Sequence, residues 1–508
     1  MKTRFETFST KRSLSALILI AASFVLLSMN VQAQCPATEL VSGLKEPTGT
    51  ALTNQGNLLV SENGTTELHS GLISIVDPAN GSRRTLLDGM PCGISDVNEP
   101  SGPHGIVMRG RTLYVAIGTG DVGRAGPIPG TTIPNPDPVS SPIFSSVLAI
   151  HFSAAVEKST SGFYLTTADQ QALANGQAVT LSDGGGDQIT IQLVANFPDY
   201  VPFPLPFFTE NIQLSNPFGI DLGANKLYVT DGGRNLTWQV DINSGLYSEL
   251  VSFPGIPNPL FPTFGGSFLE AVPTGIASSG NHILVTLFRG FPFPPGVSTV
   301  QQIDPQTGSN NVFIAGLRGA IGIMPLQETA DTDYLVLQHN SGGAIFPPFS
   351  GPGLLLHFES PNDPPTLVAD CFVRPTSMTL DKKLGKMYVS EHAGRVVVLN
   401  VSSILNKFGD SNVAGVSSAV PDEFVLAQNY PNPFNPSTTI SFKLPNSGSV
   451  SLKIYDMLGS EMAVLVDEYK EAGSYEINFD ASQLSSGLYI YKLTADNFTA
   501  AKKLMLLK

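Results

Sequence analysis

A phrase that recurs six times between residues 40 and 400 constrains the fold of this chain more than any other feature. Each copy opens on Pro-x-Gly or a close variant, runs through a short apolar strand, and continues into an aliphatic or Tyr-Val strand ending in an acid or a histidine. The copies begin at Pro47, Pro103, Pro217, Pro273, Ile321 and Pro375. Four strands per unit at a period of roughly 50 residues are typical of a β-propeller, in which each blade buries its faces against its neighbours. The pattern therefore predicts an all-β chain with a six-bladed propeller.

A short Asp-x-x-x-Gly element stands between the third and fourth predicted strands, at residues 77–81, 241–245 and 304–308. In one copy Asp241, Asn243 and Gly245 imitate a calcium loop. Proline follows the aspartate in the other two copies, and no glutamate stands at the twelfth position. We interpret the element as a hairpin turn, in which the aspartate bonds backbone amides and the glycine takes a positive φ.

Two further segments concern the completion of the ring. Residues 39–44 resemble the fourth strands predicted at residues 311–317 and 366–372, so we expect them to supply the outer strand of the last blade. Residues 154–187 are a long insertion in the second copy, with a predicted helix over residues 167–175. Thr166 or Thr167 is its expected N-cap, and Gly176 follows its end. An additional blade within this insertion would make the count seven.

The N-terminal region carries an export signal. Lysines and arginines precede an apolar run at residues 14–27, and residues 31–33 fit a cleavage site, so residues 1–33 are predicted to be a signal peptide. Gln34 stands before Cys35 where a lipoprotein signal has a small residue, which argues against a lipid anchor. No later stretch reaches the ~20 apolar residues that a membrane-spanning helix needs, so we expect no transmembrane helix in the mature chain.

The C-terminal region forms a second predicted module. A linker at residues 406–420 separates the propeller, residues 34–405, from residues 421–508, whose alternating strands predict a small β-sandwich. This module closely resembles the type A C-terminal sorting domain of type IX secretion cargo; the alternative is a fibronectin-like accessory module. The resemblance implies the type IX secretion machinery as a partner, in a Bacteroidetes-type export route to the outside or the outer-membrane surface. It rests on Asn429, Pro431, Asn432, Pro433, Lys502, Lys503 and Lys508.

Composition excludes several classes of partner. A net charge of -14 with only 14% charged residues leaves no basic stripe for nucleic acid, and an anionic surface is disfavoured as well. The 49 glycines and 39 prolines favour a chain dense in turns. Three cysteines, Cys35, Cys92 and Cys371, permit one intramolecular disulfide, and the sequence leaves the pair open.

The propeller region also resembles the ScyD/ScyE family of exported propellers, relatives of the NHL and gluconolactonase-type propellers. The resemblance spans residues 40–400 and lies in the motifs EPTGTAL, GLISIVDPANG, PSGPHGIVMRGRTLYVAIGTGD and NPFGIDLGANKLYVTDGG. Because these motifs mostly form the strands and turns of the blades, the resemblance implies the fold and the export of the protein and leaves its biochemical role open.

The strand order of a blade places all long loops on one face, which we call the mouth. The start of the innermost strand, the end of the second strand and the blade-to-blade loops share this face, whereas tight turns occupy the other. The mouth loops are rich in Phe and Pro, and elaborated loops on a rigid scaffold commonly bind ligands. The predicted binding residues are Asp121, His339, Glu391, His392, Phe291, Phe293, Phe346 and Phe349.

Oxygen ligands that converge on a propeller axis can hold calcium or magnesium. Lactonase-type propellers use Glu, Asn and Asp at blade starts in this way, and the similar positions here are Glu46, Asn216 and Asp231. His104 is a weak candidate for a catalytic base. The alternative is a solvated acidic rim with a packed or hydrogen-bonded His104 and no metal ion.

Several enzyme classes are excluded by their motifs. The sequence has no Gly-x-Ser-x-Gly elbow, no His-Glu-x-x-His pair and no phosphate-binding Gly-rich loop. Our first hypothesis is a secreted or cell-surface protein that binds a small molecule, glycan or peptide, and the sequence leaves open whether it is an enzyme. The alternative is a divalent-metal-dependent lactonase or ester hydrolase at the mouth, and a third is a purely structural surface protein.

Overall fold

The computed structural model describes residues 35–327, 332–341, 351–405, 424–427, 429, 432, 434, 436–457, 459–470, 472–482, 484–495 and 498–506. The predicted signal peptide and linker lie outside the described residues. So do five predicted site residues, namely Phe346, Phe349, Pro431, Pro433 and Lys508.

The described propeller residues form six sheets of four or five strands. Blade 1 contains β2 (Pro47–Leu52), β3 (Leu58–Glu62), β4 (Gly71–Val76) and β5 (Arg83–Met90). Blade 2 contains β8 (Pro103–Arg109), β9 (Thr112–Ile117), β12 (Ser146–Phe152) and β15 (Gln188–Asn196). Blade 3 contains β18 (Pro217–Leu222), β19 (Lys226–Asp231), β20 (Leu236–Asp241) and β21 (Tyr247–Ser252).

The remaining blades repeat this order. Blade 4 contains β24 (Pro273–Ser279), β25 (His282–Leu287), β26 (Ser298–Ile303) and β27 (Asn310–Leu317). Blade 5 contains β28 (Ala320–Pro325), β29 (Tyr334–Gln338), β30 (Gly353–Phe358) and β31 (Thr366–Phe372). Blade 6 contains β32 (Pro375–Asp381), β33 (Lys386–Glu391), β34 (Arg395–Asn400) and the N-terminal strand β1 (Thr38–Ser42). The innermost strands β2, β8, β18, β24, β28 and β32 contact one another in succession, and β32 returns to β2. The predicted six-bladed ring is confirmed.

The N-terminal strand closes this ring. β1 pairs antiparallel with β34, with Thr38 opposite Val398 and Ser42 opposite Arg395. The outer strand of the last blade therefore comes from the start of the described chain, as the sequence predicted. Cys35 and Cys371 are disulfide-bonded, whereas Cys92 is a buried free thiol.

The insertion in blade 2 joins two blades instead of forming a seventh. It contains α1 (Ala154–Ser159), β13 (Phe163–Tyr164), α2 (Thr167–Ala174) and β14 (Val179–Ser182). β14 extends the edge of blade 2 beside β15, while β13 pairs parallel with β5 of blade 1. The Thr166 side chain caps α2 in a capping box with Asp169, and Gly176 beyond the helix has a φ of +78°.

The second strand of each blade is buried on both faces because neighbouring blades cover it. All five residues of β3 and of β29 are buried. One cluster joins Leu59 and Ile73 of blade 1 to Leu113 and Val115 of blade 2, so the core lies between blades. Each such aliphatic side chain contributes roughly 1.5–3 kcal/mol on burial.

Four small hairpins decorate the mouth, where the blade-to-blade loops and the loop after β9 lie. They pair β6 (Gly93–Ile94) with β7 (Pro100–Ser101), β10 (Gly123–Ala125) with β11 (Thr132–Pro134), β16 (Tyr200–Pro202) with β17 (Ile212–Leu214), and β22 (Ile256–Pro257) with β23 (Phe268–Leu269). The turns between first and second strands are short by comparison. The described part of the chain contains no helix that is long and apolar enough to cross a membrane.

A short helix, α3 (Ser402–Leu405), follows blade 6, and the C-terminal module then forms two sheets. One sheet contains β35 (Val425–Leu426), β36 (Ser437–Leu444) and β39 (Gly473–Asp480), and the other contains β38 (Glu461–Lys470), β37 (Gly448–Tyr455), β40 (Gly487–Ala495) and β41 (Phe498–Leu506). Alternate residues such as Ile440, Leu452 and Leu493 form a shared core, which confirms the predicted sandwich.

Candidate functional site

A cavity of about 780 Å³ opens at the mouth of the propeller. Every blade contributes the second residue of its innermost strand to the lining of this cavity. These six residues are Thr48, His104, Phe218, Thr274, Ile321 and Thr376. Because one position from each of six blades meets there, the cavity lies on the propeller axis.

Several of these side chains connect one blade to the next. Each donates a hydrogen bond to the carbonyl of the first innermost-strand residue of the following blade, and we call this bond the latch. The latch bonds are Thr48 Oγ1 to Pro103 O (2.8 Å), His104 Nδ1 to Pro217 O (2.7 Å), Thr274 Oγ1 to Ala320 O (3.1 Å) and Thr376 Oγ1 to Pro47 O (2.8 Å). Blade 5 has Ile321 at this position, and His339 Nδ1 instead lies 2.9 Å from Pro375 O. The two histidines therefore have a structural role in the ring.

The protonation state of these histidines follows from their contacts. A carbonyl oxygen only accepts hydrogen bonds, so Nδ1 of His104 and of His339 carries the proton. Burial lowers the pKa of both side chains to about 4, against the opposing effect of the carbonyl bonds. Burial, with the charge of Arg374, also lowers the pKa of His392 to about 4. All three imidazoles are therefore neutral at pH 7.

Residues at the end of the second strand hold the segment that leads into the same blade. The carboxylate of Glu62 accepts the backbone N–H of Lys45 at 2.6 Å, and that of Glu391 accepts Val373 N–H at 2.9 Å. Gln338 Oε1 accepts Arg318 N–H at 2.5 Å in the same manner. These side chains are buried, and Glu391, which the sequence predicted to bind ligand, holds the segment leading into blade 6.

Asp231 occupies the corresponding position in blade 3 and is saturated with hydrogen bonds. Its carboxylate accepts from Ser215 Oγ at 2.5 Å, Asn216 N at 2.7 Å, Arg234 N at 3.0 Å and Trp238 Nε1 at 3.0 Å. The side chain is fully buried. Four protein donors occupy the lone pairs that a metal ion would use.

The three residues predicted as metal ligands do not face the cavity together. Asn216 lines it, but its Oδ1 accepts the backbone N–H of Thr119 at 3.1 Å. Glu46 is not among the lining residues, and its Oε2 lies 3.5 Å from His392 Nε2. Across the described residues, no group of three or more His, Cys, Asp or Glu side chains is placed to hold a metal ion. The geometry gives no support to the expected calcium or magnesium site.

The predicted binding residues divide into two groups. His339, His392, Phe291 and Phe293 line the cavity. Asp121 is absent from the lining, and its carboxylate accepts the backbone N–H of Ser140 at 3.1 Å and 3.2 Å.

Sequence reasoning missed many of the polar lining residues, among them Asn63, Ser101, Thr119 and Arg374. The position of Arg374 in the sequence could have identified it as a lining residue, because it directly precedes the first proline of an innermost strand, as Glu46 and Asn216 do. Ser101 and Thr119 lie within the motif PSGPHGIVMRGRTLYVAIGTGD, but nothing in that motif marks their side chains as unpaired.

Three of the missed residues present unpaired oxygen atoms. Asn63 Oδ1, Ser101 Oγ and Thr119 Oγ1 are buried and have no hydrogen-bond partner within the described protein. Gly118 lies directly beside two of the polar side chains. A Cβ atom at this position would be 2.5 Å from Ser101 Oγ and 2.9 Å from Asn216 Oδ1, so no side chain fits there. Leaving such an atom unpaired costs about 1–3 kcal/mol, so these atoms mark one wall of the cavity as suited to a polar ligand.

Comparisons with solved structures find similar proteins only at low identity and low TM-score. A gluconolactonase from Xanthomonas campestris is 10% identical, with 72% of this chain and 90% of that chain covered and a TM-score of 0.39. A protein described as an oxidoreductase (glucose dehydrogenase) from Thermus thermophilus is 14% identical, with 72% and 99% covered and a TM-score of 0.39. The extracellular domain of a protein described as a hybrid two-component system from B. thetaiotaomicron is 10% identical, with a TM-score of 0.30; 91% of this chain matches it and spans 50% of its length. These likenesses carry no conclusion about activity.

The C-terminal module has a clear family match. No curated protein matches the chain. Residues 428–507, however, match the family of secretion system C-terminal sorting domains. The chain therefore carries a type IX C-terminal sorting domain, which directs its export to the cell surface or the extracellular space.

Proposed function

We propose that this protein binds a ligand outside the cell and holds it in the axial cavity of the propeller. The observation that carries the proposal is the set of three buried, unpaired oxygen atoms of Asn63, Ser101 and Thr119 in the cavity wall. A folded protein rarely leaves such atoms without a partner, and a polar ligand would supply the missing hydrogen bonds. We also propose, from the motifs of the blades, that the propeller belongs to the ScyD/ScyE family.

The rim of the cavity supports the same proposal. Two of its lining residues, Phe203 and Phe291, are exposed aromatic side chains. Large exposed aromatic residues on loops above a concave site are common in ligand-binding proteins, because each offers a rigid contact surface. The lining combines apolar and polar groups, which is the usual composition of a small-molecule site.

No specific observation favours the alternative, a metal-dependent hydrolase of the lactonase type. Asp231 is occupied by four protein donors, and Glu46 does not line the cavity. His104 remains neutral and uses Nδ1 in the latch, which fixes it as part of the ring.

The experiment that tests the proposal compares two threonines of the cavity. Thr119→Val removes an unpaired oxygen, so thermal stability should stay the same or rise while ligand binding weakens. Thr48→Val removes a latch bond, so stability should fall. Ligands would be found by screening the exported protein against glycan, peptide and small-molecule collections by thermal shift. A lower melting temperature for Thr119→Val, or a hit that binds this variant as tightly as the original protein, would contradict the proposal.

A further inference from the structure

The charged groups around the cavity are strongly unbalanced. Among the described lining residues, three carboxylates, Asp96, Glu99 and Glu270, face one guanidinium, that of Arg374. Arg374 lies nearest to Glu99, with Nη2 3.7 Å from Oε1. Asp96 and Glu270 are the other two carboxylates of the lining.

The carboxylates repel one another. Desolvation raises the pKa of Glu270, a hydrogen bond with Asn235 opposes this, and the charge of Asp96 adds to the rise. Beneath the rim, desolvation followed by the charge of Glu99 raises the pKa of Glu46, while Arg374 lowers it. A positive group placed among these carboxylates would relieve the repulsion.

The neutral groups of the lining also offer hydrogen-bond acceptors. Asn63 Oδ1 only accepts, and the hydroxyl oxygens of Ser101 and Thr119 are without a partner in the described protein. His104 holds its proton on Nδ1, which leaves Nε2 as an acceptor. N–H groups of a ligand can therefore bond to every one of these atoms, since the two hydroxyl oxygens accept as well as donate.

Aromatic rings stand beside the acidic part of the rim. Gly290 N donates to the backbone O of Glu270 at 3.1 Å, so the loop that carries Phe291 and Phe293 is held against the backbone of Glu270, and all three residues line the cavity. The rings of Phe291 and Phe293 are arranged edge to face at a centroid distance of 6.1 Å. A carboxylate beside aromatic faces is a combination that binds organic cations.

We propose that the ligand of the cavity carries an ammonium or guanidinium group, which sits between the carboxylates of Asp96 and Glu270 and the rings of Phe291 and Phe293. This inference rests on the proposed binding function and adds the charge of the ligand to it. An anionic ligand would meet three carboxylates and a single arginine. A metal ion would find no set of ligands among the described residues, and phenylalanine rings do not coordinate one.

The test uses three probes of one shape on the full exported protein: phenethylamine, the neutral 2-phenylethanol and the anionic phenylacetate. Calorimetry should detect binding of the amine alone, weakened by added salt. Glu270→Gln should weaken it about tenfold, equivalent to about 1.4 kcal/mol, and Phe291→Leu about threefold. Glu249→Gln, an exposed acid on the outer strand of blade 3, is the matched control and should leave binding unchanged. A fourth probe is a lysine whose α-amino and α-carboxyl groups are blocked, as they are in a peptide. Its binding would indicate that a lysine side chain of a peptide supplies the cation, whereas binding of phenethylamine alone would indicate a free amine.

Each other outcome overturns the inference in a distinct way. Equal binding of 2-phenylethanol, or tighter binding of phenylacetate, would show a neutral or anionic ligand and leave the proposed binding function standing. If neither the amine nor the blocked lysine binds at about 10 mM, the cationic assignment is wrong. The fate of the binding function is then decided separately by the ligand screen and the Thr119→Val variant.

Discussion

His392 Nε2 lies 3.5 Å from Glu46 Oε2, yet the two side chains do not form an ion pair at mildly acidic or neutral pH. Burial, together with the charge of Arg374, lowers the pKa of His392 to about 4, and burial, with the charge of Glu99, raises the pKa of Glu46 to about 7. Between these values the proton resides on the carboxyl group and the imidazole is neutral. The contact is thus one between a protonated acid and a neutral base.

This relationship predicts a pH-dependent gain in stability for Glu46→Gln. The folded pKa of Glu46 is raised to about 7 from 4.5, so the folded state binds more protons than the unfolded state between these two values. Ionised Glu46 therefore destabilises the fold increasingly as pH rises through this window. We expect the variant to match the original protein near pH 4.5, to exceed it progressively up to about pH 7, and to keep a constant advantage above that pH. Denaturant unfolding at several pH values measures the difference.

The groups that face Glu46 are Glu99, Arg374, His392 and Cys92. A control variant, Glu67→Gln, makes the same change at an exposed acid that is not among these groups. A stability gain from Glu46→Gln that is equal at pH 4.5 and pH 8 would contradict a raised pKa for this carboxyl group.

Thr376→Val should weaken the closure between the last and first blades. Thr376 Oγ1 donates to Pro47 O at 2.8 Å, and it also lies 2.9 Å from Ser390 Oγ. Valine keeps the shape and leaves a buried carbonyl without this donor, which costs about 1–3 kcal/mol. Chemical denaturation should show the loss. Thr180→Val, on the exposed edge strand β14, should change stability by less than about 0.5 kcal/mol, and an equal effect of both variants would refute a special role for the latch.

Glu157→Ala should destabilise the protein by about 3–5 kcal/mol. Glu157 in α1 is fully buried and pairs with Arg111 at 2.6 Å, while Asn57 of blade 1 donates to it at 2.9 Å. Its removal leaves the guanidinium of Arg111 buried without this carboxylate between two blades. The double variant Arg111→Met/Glu157→Leu should recover most of the loss, because it removes both charges together.

The matched control for this pair is Lys158→Ala, which changes the exposed neighbour in the same helix. Equilibrium unfolding in urea distinguishes the three variants. If Glu157→Ala proved as stable as Lys158→Ala, the salt bridge would not be what holds the insertion between the blades.

Chelator treatment should leave the melting temperature of the protein unchanged, and added calcium should not raise it. The carboxylate of Asp231 is stabilised by four protein donors, so Asp231→Asn should lose more than about 2 kcal/mol, equally with and without chelator. Elemental analysis and thermal melts provide the readings. A stoichiometric divalent ion, or a loss on Asp231→Asn that disappears in chelator, would restore the metal-site hypothesis.

Removal of the sorting domain should prevent delivery to the cell surface. A chain that ends after residue 405 lacks the segment matched to the sorting family, and we expect it to stay inside the cell envelope. Surface labelling and fractionation measure this. Asn432→Ala is a finer variant, because Asn432 Nδ2 donates to Lys503 O at 3.2 Å and its Oδ1 accepts Met505 N–H at 2.8 Å, which pins the start of the domain to β41. Wild-type surface levels of the truncated chain would argue against the sorting assignment.

The sequence predicted the fold well because its signals are local and repeated. The Pro-x-Gly starts of the innermost strands and the apolar runs of the second strands depend on neighbouring residues, and six copies reinforce one another. The cap of α2 at Thr166 was readable for the same reason. The candidate site was predicted only in part, since Phe291, Phe293, His339 and His392 line the cavity whereas Asp121 does not.

The roles of the acids could not be read from residue type. Glu391 and Asp231 end second strands as expected, but which atoms their carboxylates meet depends on how the blade's leading segment folds back over them. A sequence pattern gives the position of an acid along a strand and carries no information about the N–H groups that a neighbouring segment presents. Asn63, Ser101 and Thr119 escaped notice because their unpaired oxygens exist only once the blades have closed around the axis.

The sequence by itself determined the ring of blades, the strand that closes it, and the export domain at the C-terminal end of the described chain, because each is encoded in contiguous residues. Only the tertiary structure decided which polar groups are used up in holding the blades together and which face the axial cavity. The physical reason is that hydrogen bonds and burial are properties of groups brought together from distant blades, as His104 and Pro217 are.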